Sequence, residues 1–296
     1  MKLADFYHRL RGRFRYFFSL PGFRKRPAQT LWRAISWRTL CLLGIPAVVR
    51  LPPWGMKLLL PPKWHGEGAT LFYIVREYYE PEFRFLSRWL REGETFVDAG
   101  ANCGVYTFAA AGIVGDNGLV LAFEPGHELF TVLQKSVSLN NSKHVHLFEA
   151  GLSNTTGTAK LYAHPHGASS FSLGRSSENP DGVSFEIQVR RLDDVLAAEQ
   201  VQKVDCIKMD VEGAEELILQ GAPLLFERCK PRVIFEVNTT AIAALGLKTD
   251  GAWNFLQSRG YEFFTIDEEG DTTPLTAPPG GGNVIAIHPS NAAGAS

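Results

Sequence analysis

The run Phe96-Val97-Asp98-Ala99-Gly100-Ala101-Asn102-Cys103-Gly104 carries a strand pattern into a glycine turn and then a helical segment, with a carboxylate at the strand end. Gly100 and Gly104 permit positive φ and let a ligand lie against bare backbone, while the helix start offers unpaired N–H groups. The turn reads as a cofactor cradle. Asn102 stands where a dinucleotide fingerprint needs its second glycine, and Asp98 would repel a pyrophosphate. A nucleoside bearing positive charge, such as S-adenosylmethionine with its sulfonium and amino group, suits both features. Glu124 lies 26 residues beyond Asp98 and closes the next strand as Ala122-Phe123-Glu124-Pro125, placed to accept both ribose hydroxyls. Taken singly, Asp98 reads equally as a helix cap and Glu124 as a solvated turn charge. On consecutive strand–helix units the two together favour a cofactor.

Further along stand Arg191-Leu192-Asp193-Asp194 and Asp205-Cys206-Ile207-Lys208-Met209-Asp210-Val211-Glu212-Gly213-Ala214-Glu215, then Gly221 and Phe235-Glu236-Val237, with Tyr79-Glu80-Pro81 upstream. With the first turn and the Glu124 segment, this set resembles the FkbM family of S-adenosylmethionine-dependent methyltransferases over about residues 78–289. The resemblance implies transfer of a methyl group to a hydroxyl oxygen of sugars or polyketide-type products. The acceptor is therefore expected to be a glycan, a glycolipid or a related secondary metabolite.

Displacement from a sulfonium starts from an activated donor, so alignment and water exclusion supply most of the acceleration, and a hydroxyl acceptor must still lose its proton. Asp210 and Glu212 lie at and just past the end of a strand, on the rim where open α/β sheets bind ligands. Either can be the base, or the pair can hold a divalent ion. Asp210 can equally position the methionine moiety, and Glu212 can cap a helix starting at Gly213 with Glu215 favouring its first turn. Lys208 reads as a structural ion pair. His164 and His166 border the polar loop Gly167-Ala168-Ser169-Ser170, a candidate lid, and His166 is the histidine favoured as base. His144 and His146 read as surface residues. Glu236, with Asn238 two residues on, faces the same rim as a contact to the acceptor or a strand cap. Gly151-Leu152-Ser153-Asn154 reads as a turn, either beside the adenine or unconnected with it. The predicted cofactor set is Asp98, Gly100, Asn102, Gly104, Glu124, Pro125, Gly151 and Asp210; no residue is assigned to a metal.

These residues need parallel strand–helix–strand units, and the texture after Gly93 supplies them. Strands are expected at Thr95–Val97, Leu119–Phe123, His144–Phe148, Val204–Met209 and Val233–Val237. Helices are expected at Gly104–Val114, His127–Leu139, Leu192–Glu199, Ala214–Gln220 and Gly251–Ser258. Thr158–Ala163 and Ser184–Val189 are extended, and Tyr261–Ile266 and Asn283–His288 close the fold as an antiparallel pair. The expectation is an α/β, Rossmann-like, doubly wound seven-stranded sheet with an antiparallel last strand, preceded by a basic helical extension. Residues 1–77 form that extension and its proline-rich linker, 78–289 the catalytic domain, and 290–296 a disordered tail. Upstream, Glu82–Arg91 follows a helical pattern, and Pro46 to Pro62 reads as a linker or short β-ribbon.

The chain has 296 residues, 45% hydrophobic and 21% charged, which excludes disordered, collagen-like and disulfide-framework classes. A net charge of −1 hides eleven Lys/Arg and one acid in residues 1–50 against nineteen Lys/Arg and thirty acids in the remainder. Residues 3–18 interleave Phe6, Tyr7, Leu10, Phe14, Phe17 and Phe18 with arginines, an amphipathic basic helix suited to an anionic membrane, an acidic partner or its own catalytic domain. Nucleic acid is a poor substrate for so acidic a body. Four cysteines without metal-ligand spacing, no continuous signal-peptide stretch and no apolar run of spanning length lead to an expected cytoplasmic location, with peripheral contact at the inner face of a membrane. A non-catalytic scaffold on the same fold, or a nicotinamide-dependent oxidoreductase, is the alternative class.

Overall fold

A computed structural model describes residues 15, 17–63, 67–163, 171–172 and 184–294. The basic pattern of residues 3–18 lies almost wholly outside these, as do His164, His166 and the loop 167–170. Strands β1 (Ala47–Leu51) and β2 (Met56–Leu60) pair as an antiparallel ribbon. Then follow β3 (Thr95–Ala99), β4 (Leu119–Phe123), β5 (Val145–Phe148), β6 (Gly151–Leu152), β7 (Gly157–Ala163), β8 (Phe171–Ser172) and β9 (Ser184–Arg190). The remaining strands are β10 (Cys206–Met209), β11 (Arg232–Val237), β12 (Glu262–Ile266), β13 (Thr272–Leu275) and β14 (Gly282–Ile287).

The central sheet has eight strands in the order β13-β12-β14-β11-β10-β3-β4-β5. From β11 to β5 the pairs are parallel, and β14 runs antiparallel to both β11 and β12. The expected doubly wound arrangement is present with one more strand than the sequence reading allowed. That eighth strand, β13, lies in the turn-rich stretch before Pro278; three of its four residues are exposed, so it has no apolar alternation to reveal it. A smaller sheet, ordered β6-β9-β7-β8, contains the two extended segments expected from sequence, and it incorporates Gly151–Leu152 as a strand instead of a free turn.

Strands covered on both faces read as continuous apolar runs, and their alternate residues serve separate cores. Phe96, Val120, Cys206 and Ile234 pack with Phe108 and Leu133 of the helices Val105–Val114 and His127–Asn140. Val97, Leu121, Ile207 and Val233 pack on the opposite face with Leu192, Ile218 and Trp253.

The segment upstream of residue 78 is packed into the first of these cores. Trp37, on the helix Pro27–Leu43, is fully buried, stacks on Tyr73 at 4.7 Å and donates through Nε1 to Thr70 Oγ1 at 2.9 Å. Val49, Leu51, Leu58 and Leu60 of the ribbon join the same cluster as Phe96 and Phe108. Backbone N–H groups of Lys57 and Leu59 donate to Asn140 Oδ1 and Ser136 Oγ, at 2.7 and 3.0 Å, fixing the ribbon to the helix His127–Asn140. Residue 77 thus marks no boundary in the packing. The helical pattern at Glu82–Arg91 divides into a short helix, Pro81–Arg84, and a 3-10 turn, Leu86–Arg88, which brings Leu86, Trp89 and Leu90 into the core together. The expected tail begins as a 3-10 helix over Pro289–Gly294. No helix among the described residues is long and apolar enough to cross a membrane.

Candidate active site

The carboxyl ends of β3, β4, β10 and β11 open onto one cleft of about 390 Å³. Seven of the eight residues predicted for the cofactor line it, Asp98, Gly100, Asn102, Glu124, Pro125, Gly151 and Asp210; Gly104 does not, although its neighbours Cys103 and Val105 do. Gly104 instead starts the helix in a left-handed conformation, with φ of +95°. At Gly100 (φ +81°) a Cβ would lie 2.0 Å from the Asp210 carbonyl oxygen, so the turn after β3 and the end of β10 approach as only glycine allows.

Glu124 is buried, and its oxygens accept the N–H groups of Asn102 at 2.9 Å and Gly126 at 2.8 Å. These two bonds tie the turn after β3 to the end of β4 and aim the carboxyl at the cleft. Each oxygen keeps a further lone pair for a ligand hydroxyl. Burial nevertheless pushes Glu124 up from 4.5 to about 7. Asp98 accepts the Thr107 hydroxyl at 2.5 Å, and burial raises it from 3.8 to about 6. It is a helix-facing acceptor and a cleft residue at once, so the two sequence readings of Asp98 are compatible.

Lys208 pairs across the sheet with Asp98 in register, and its ammonium lies 3.1 Å from Asp210 Oδ2 and 4.7 Å from the centre of the Tyr106 ring. It is 2% exposed, yet Asp210, Glu80 and Asp98 outweigh the burial and push its pKa up. The ion pair read from sequence is therefore the hub of the site. Among the described lining residues, Glu80, Asp98, Glu124, Asp210, Glu212 and Glu236 supply six carboxyl groups against this one ammonium.

On the β10–β11 side of the cleft, Glu212 adopts φ of +54° and its Oε2 accepts from Asn238 Nδ2 at 3.2 Å. It does not cap the following helix, which starts at Glu215. Glu215 Oε1 instead accepts the N–H groups of Val211 and Gly213, at 3.1 and 3.4 Å, and so shapes the loop that presents Asp210. A Cβ at Gly213 would come within 2.5 Å of the Ile242 backbone nitrogen, which seats that loop on the helix Thr239–Ala244. Glu236 is raised by burial and by the neighbouring carboxylates Asp210, Glu212 and Glu215.

Sequence reasoning gave Glu80, Tyr79 and Tyr106 no role, although Glu80-Pro81 repeats the pair Glu124-Pro125. Glu80 accepts the Tyr106 hydroxyl at 2.5 Å, and burial raises its carboxyl. The smaller sheet adds Leu152, Leu161, Ile187 and Val189 as an apolar wall. His144 and His146 stay away from the cleft, bound to the Ala111 carbonyl and to Glu199, while His166 lies outside the described residues. Cys103 lines the cleft, and burial pushes its thiol up to about 12, toward the protonated form. Among the described residues no group of three or more His, Cys, Asp or Glu is arranged to hold a metal ion.

The fold and site define a doubly wound α/β protein with an acidic cleft at the carboxyl ends of its parallel strands. The methyltransferase FkbM domain matches residues 98–263, and the chain belongs to that family. It is 29% identical to methyltransferase sdnD of Sordaria araneosa over 42% of this chain and 59% of that protein. It is 27% identical to methyltransferase 1 of Beauveria bassiana over 42% of this chain and 57% of that one. The matches thus span under two thirds of the curated relatives' length. Methyltransferase FkbM from Methylobacillus flagellatus superposes with a TM-score of 0.44 at 16% identity, covering 86% of this chain and 59% of that one.

Proposed function

We propose that the chain is an S-adenosylmethionine-dependent O-methyltransferase acting on a hydroxyl of a glycan, a glycolipid or a related secondary metabolite. The observation that carries the cofactor assignment is the charge of the cleft: six carboxyl groups and one lysine line it, with no arginine among the described lining residues. A pyrophosphate meets repulsion there, whereas a sulfonium and an amino group meet complementary charge. The same charge argues against a nicotinamide dinucleotide.

S-adenosylmethionine would supply, when bound, a methyl group on a sulfonium leaving group. Glu124 would hold the ribose hydroxyls through its remaining lone pairs, and Leu152, Leu161, Ile187 and Val189 would cover the flat base. Asp98 and the turn Gly100–Asn102 would take the amino-acid end. Asp210 is held by Lys208 and orients the acceptor against the methyl group. Glu236 sits beside it with a raised pKa that suits a group taking up a proton near neutrality. The acceptor hydroxyl would give its proton to the Glu236 carboxylate as its oxygen takes the methyl group, the electron pair of the broken S–CH3 bond staying on the departing neutral sulfide, and Glu212 would fix the rim through Asn238.

Calorimetric titration with S-adenosylhomocysteine tests the cofactor half, with micromolar binding expected. Absence of binding to folded protein would favour the scaffold reading. For the catalytic half, Glu236→Gln should lower kcat about 10²- to 10⁴-fold and leave the S-adenosylhomocysteine Kd nearly unchanged. Unaltered turnover in that variant removes Glu236 as the base.

A further inference from the structure

The helix Pro27–Leu43 has two apolar faces. Trp37 and the half-buried Ala34, Leu40 and Cys41 face the protein. Leu31, Trp32, Ile35, Leu42 and Leu43 lie outward, and Trp32 is 68% and Leu42 72% exposed. Ile45 and Val48 extend that outward surface onto β1. Exposed large apolar side chains gathered on one element of a folded protein mark an interaction site. The acids seen to reach this segment, Glu77 and Glu269, are paired with Arg26 and Arg33 and with Lys25. Arg38 is exposed on the helix itself, Arg24 just before it, and Arg50 shares the outward face of β1 with Val48. No Asp or Glu occurs between Asp5 and Glu67.

We propose that the outward face of the helix Pro27–Leu43, continued by Ile45 and Val48, docks on an anionic lipid bilayer. The combination of exposed Trp and Leu with the arginines Arg24, Arg38 and Arg50 suits the boundary between headgroups and acyl chains. Charge also separates this occupant from the two that the chain could supply. A second copy would bring the same arginines face to face. The segment 1–14, which carries Lys2, Arg9, Arg11 and Arg13, is likewise of the same sign. The helix Glu67–Val75 packs on Pro27–Leu43 and supplies Gly68 and Leu71 to the cleft, so the docked face stands one helix away from the site. The docking is independent of the methyl-transfer assignment.

The test is flotation of the full chain with phosphatidylcholine vesicles, with and without about a third phosphatidylglycerol, combined with size-exclusion chromatography. The chain should float with the anionic vesicles and much less with the neutral ones. Ile35→Ser/Leu42→Ser/Leu43→Ser should weaken partitioning by about two orders of magnitude or more, since each removed side chain is worth about tenfold when buried. Trp32→Phe should bind but lose part of the tryptophan quenching by brominated lipid, which places that ring in the bilayer. Equal flotation of the triple variant and the native chain overturns the proposal. So does a dimer that the triple variant converts to a monomer while neither form floats, because a second copy would then be the occupant.

Discussion

Glu124 offers a direct reading of how the cleft engages its cofactor. Burial opposes charge on its carboxyl and pushes it up from 4.5 to about 7. Ribose hydroxyls donating to it favour the ionised form, so binding should pull its pKa down and release a proton. A group at about 7 is mostly protonated at pH 6 and mostly ionised at pH 8, so affinity should fall about tenfold between those values as pH drops. Asp98, at about 6, adds roughly a further factor of two over the same interval if the amino-acid end binds its ionised form. The native chain should therefore bind S-adenosylhomocysteine about twentyfold more weakly at pH 6 than at pH 8, and Glu124→Gln should keep only the part due to Asp98. Gln also places an amide N–H against the Asn102 or Gly126 donor, so its affinity at pH 8 should drop by about 1.5–3 kcal/mol. Calorimetry across that pH range in two buffers of different ionisation enthalpy measures both the affinity and the proton released. An equally steep pH dependence in Glu124→Gln, or proton release unchanged by it, would refute the assignment of Glu124 to the ribose.

Gly100→Ala forces a Cβ to within 2.0 Å of a backbone oxygen at φ of +81°, and should destabilise the chain by about 3 kcal/mol or more in urea unfolding. Glu124 and Glu215 are both raised from 4.5 to about 7, so the folded cofactor-free chain holds protons that the unfolded chain releases. The stability this contributes is present at low pH and is lost as pH rises through about 7; urea midpoints should show roughly 2 kcal/mol less per residue at pH 8.5 than at pH 5.5. Removing residues 1–77 strips Trp37, Leu51, Leu58, Leu60 and Phe72 from the core, each worth about 2–5 kcal/mol, so the remainder should show no cooperative thermal transition. A melt within a few degrees of the full chain would show that the upstream segment is dispensable.

The parallel units were legible because their signals are local. Leu119–Phe123 and the turn Asp98–Gly104 announce strand, carboxylate and glycine within ten residues or fewer, and Leu119–Phe123 forms β4 with the boundaries read from sequence. The features that sequence missed depend on contacts between distant segments. Glu215 looks like a first-turn acid of its own helix, and only the folded loop shows it accepting from Val211 and Gly213. Lys208 alternates with Asp210 in the sequence, but the convergence of Glu80 and Asp98 on it requires the sheet register and the packing of Tyr106. Residues 46–62 read as a linker or a short β-ribbon, and the ribbon is what forms; what the sequence does not show is that Leu51, Leu58 and Leu60 find their partners on helices far along the chain. A basic, proline-rich composition set the expected border at 77, whereas the border of the hydrophobic core depends on which side chains meet.

β13 pairs on one side with β12, placing Pro274 opposite Phe264, and three of its four residues are exposed. A proline has no N–H with which to recruit another strand, and a four-residue strand gives a visiting chain little to register against. The sheet is thereby closed to growth at that margin, and self-association through continued strand pairing is disfavoured during folding as well as after it. A substitution at Pro274 that restores the amide should therefore lower the protein's solubility while leaving the distant cleft as it is.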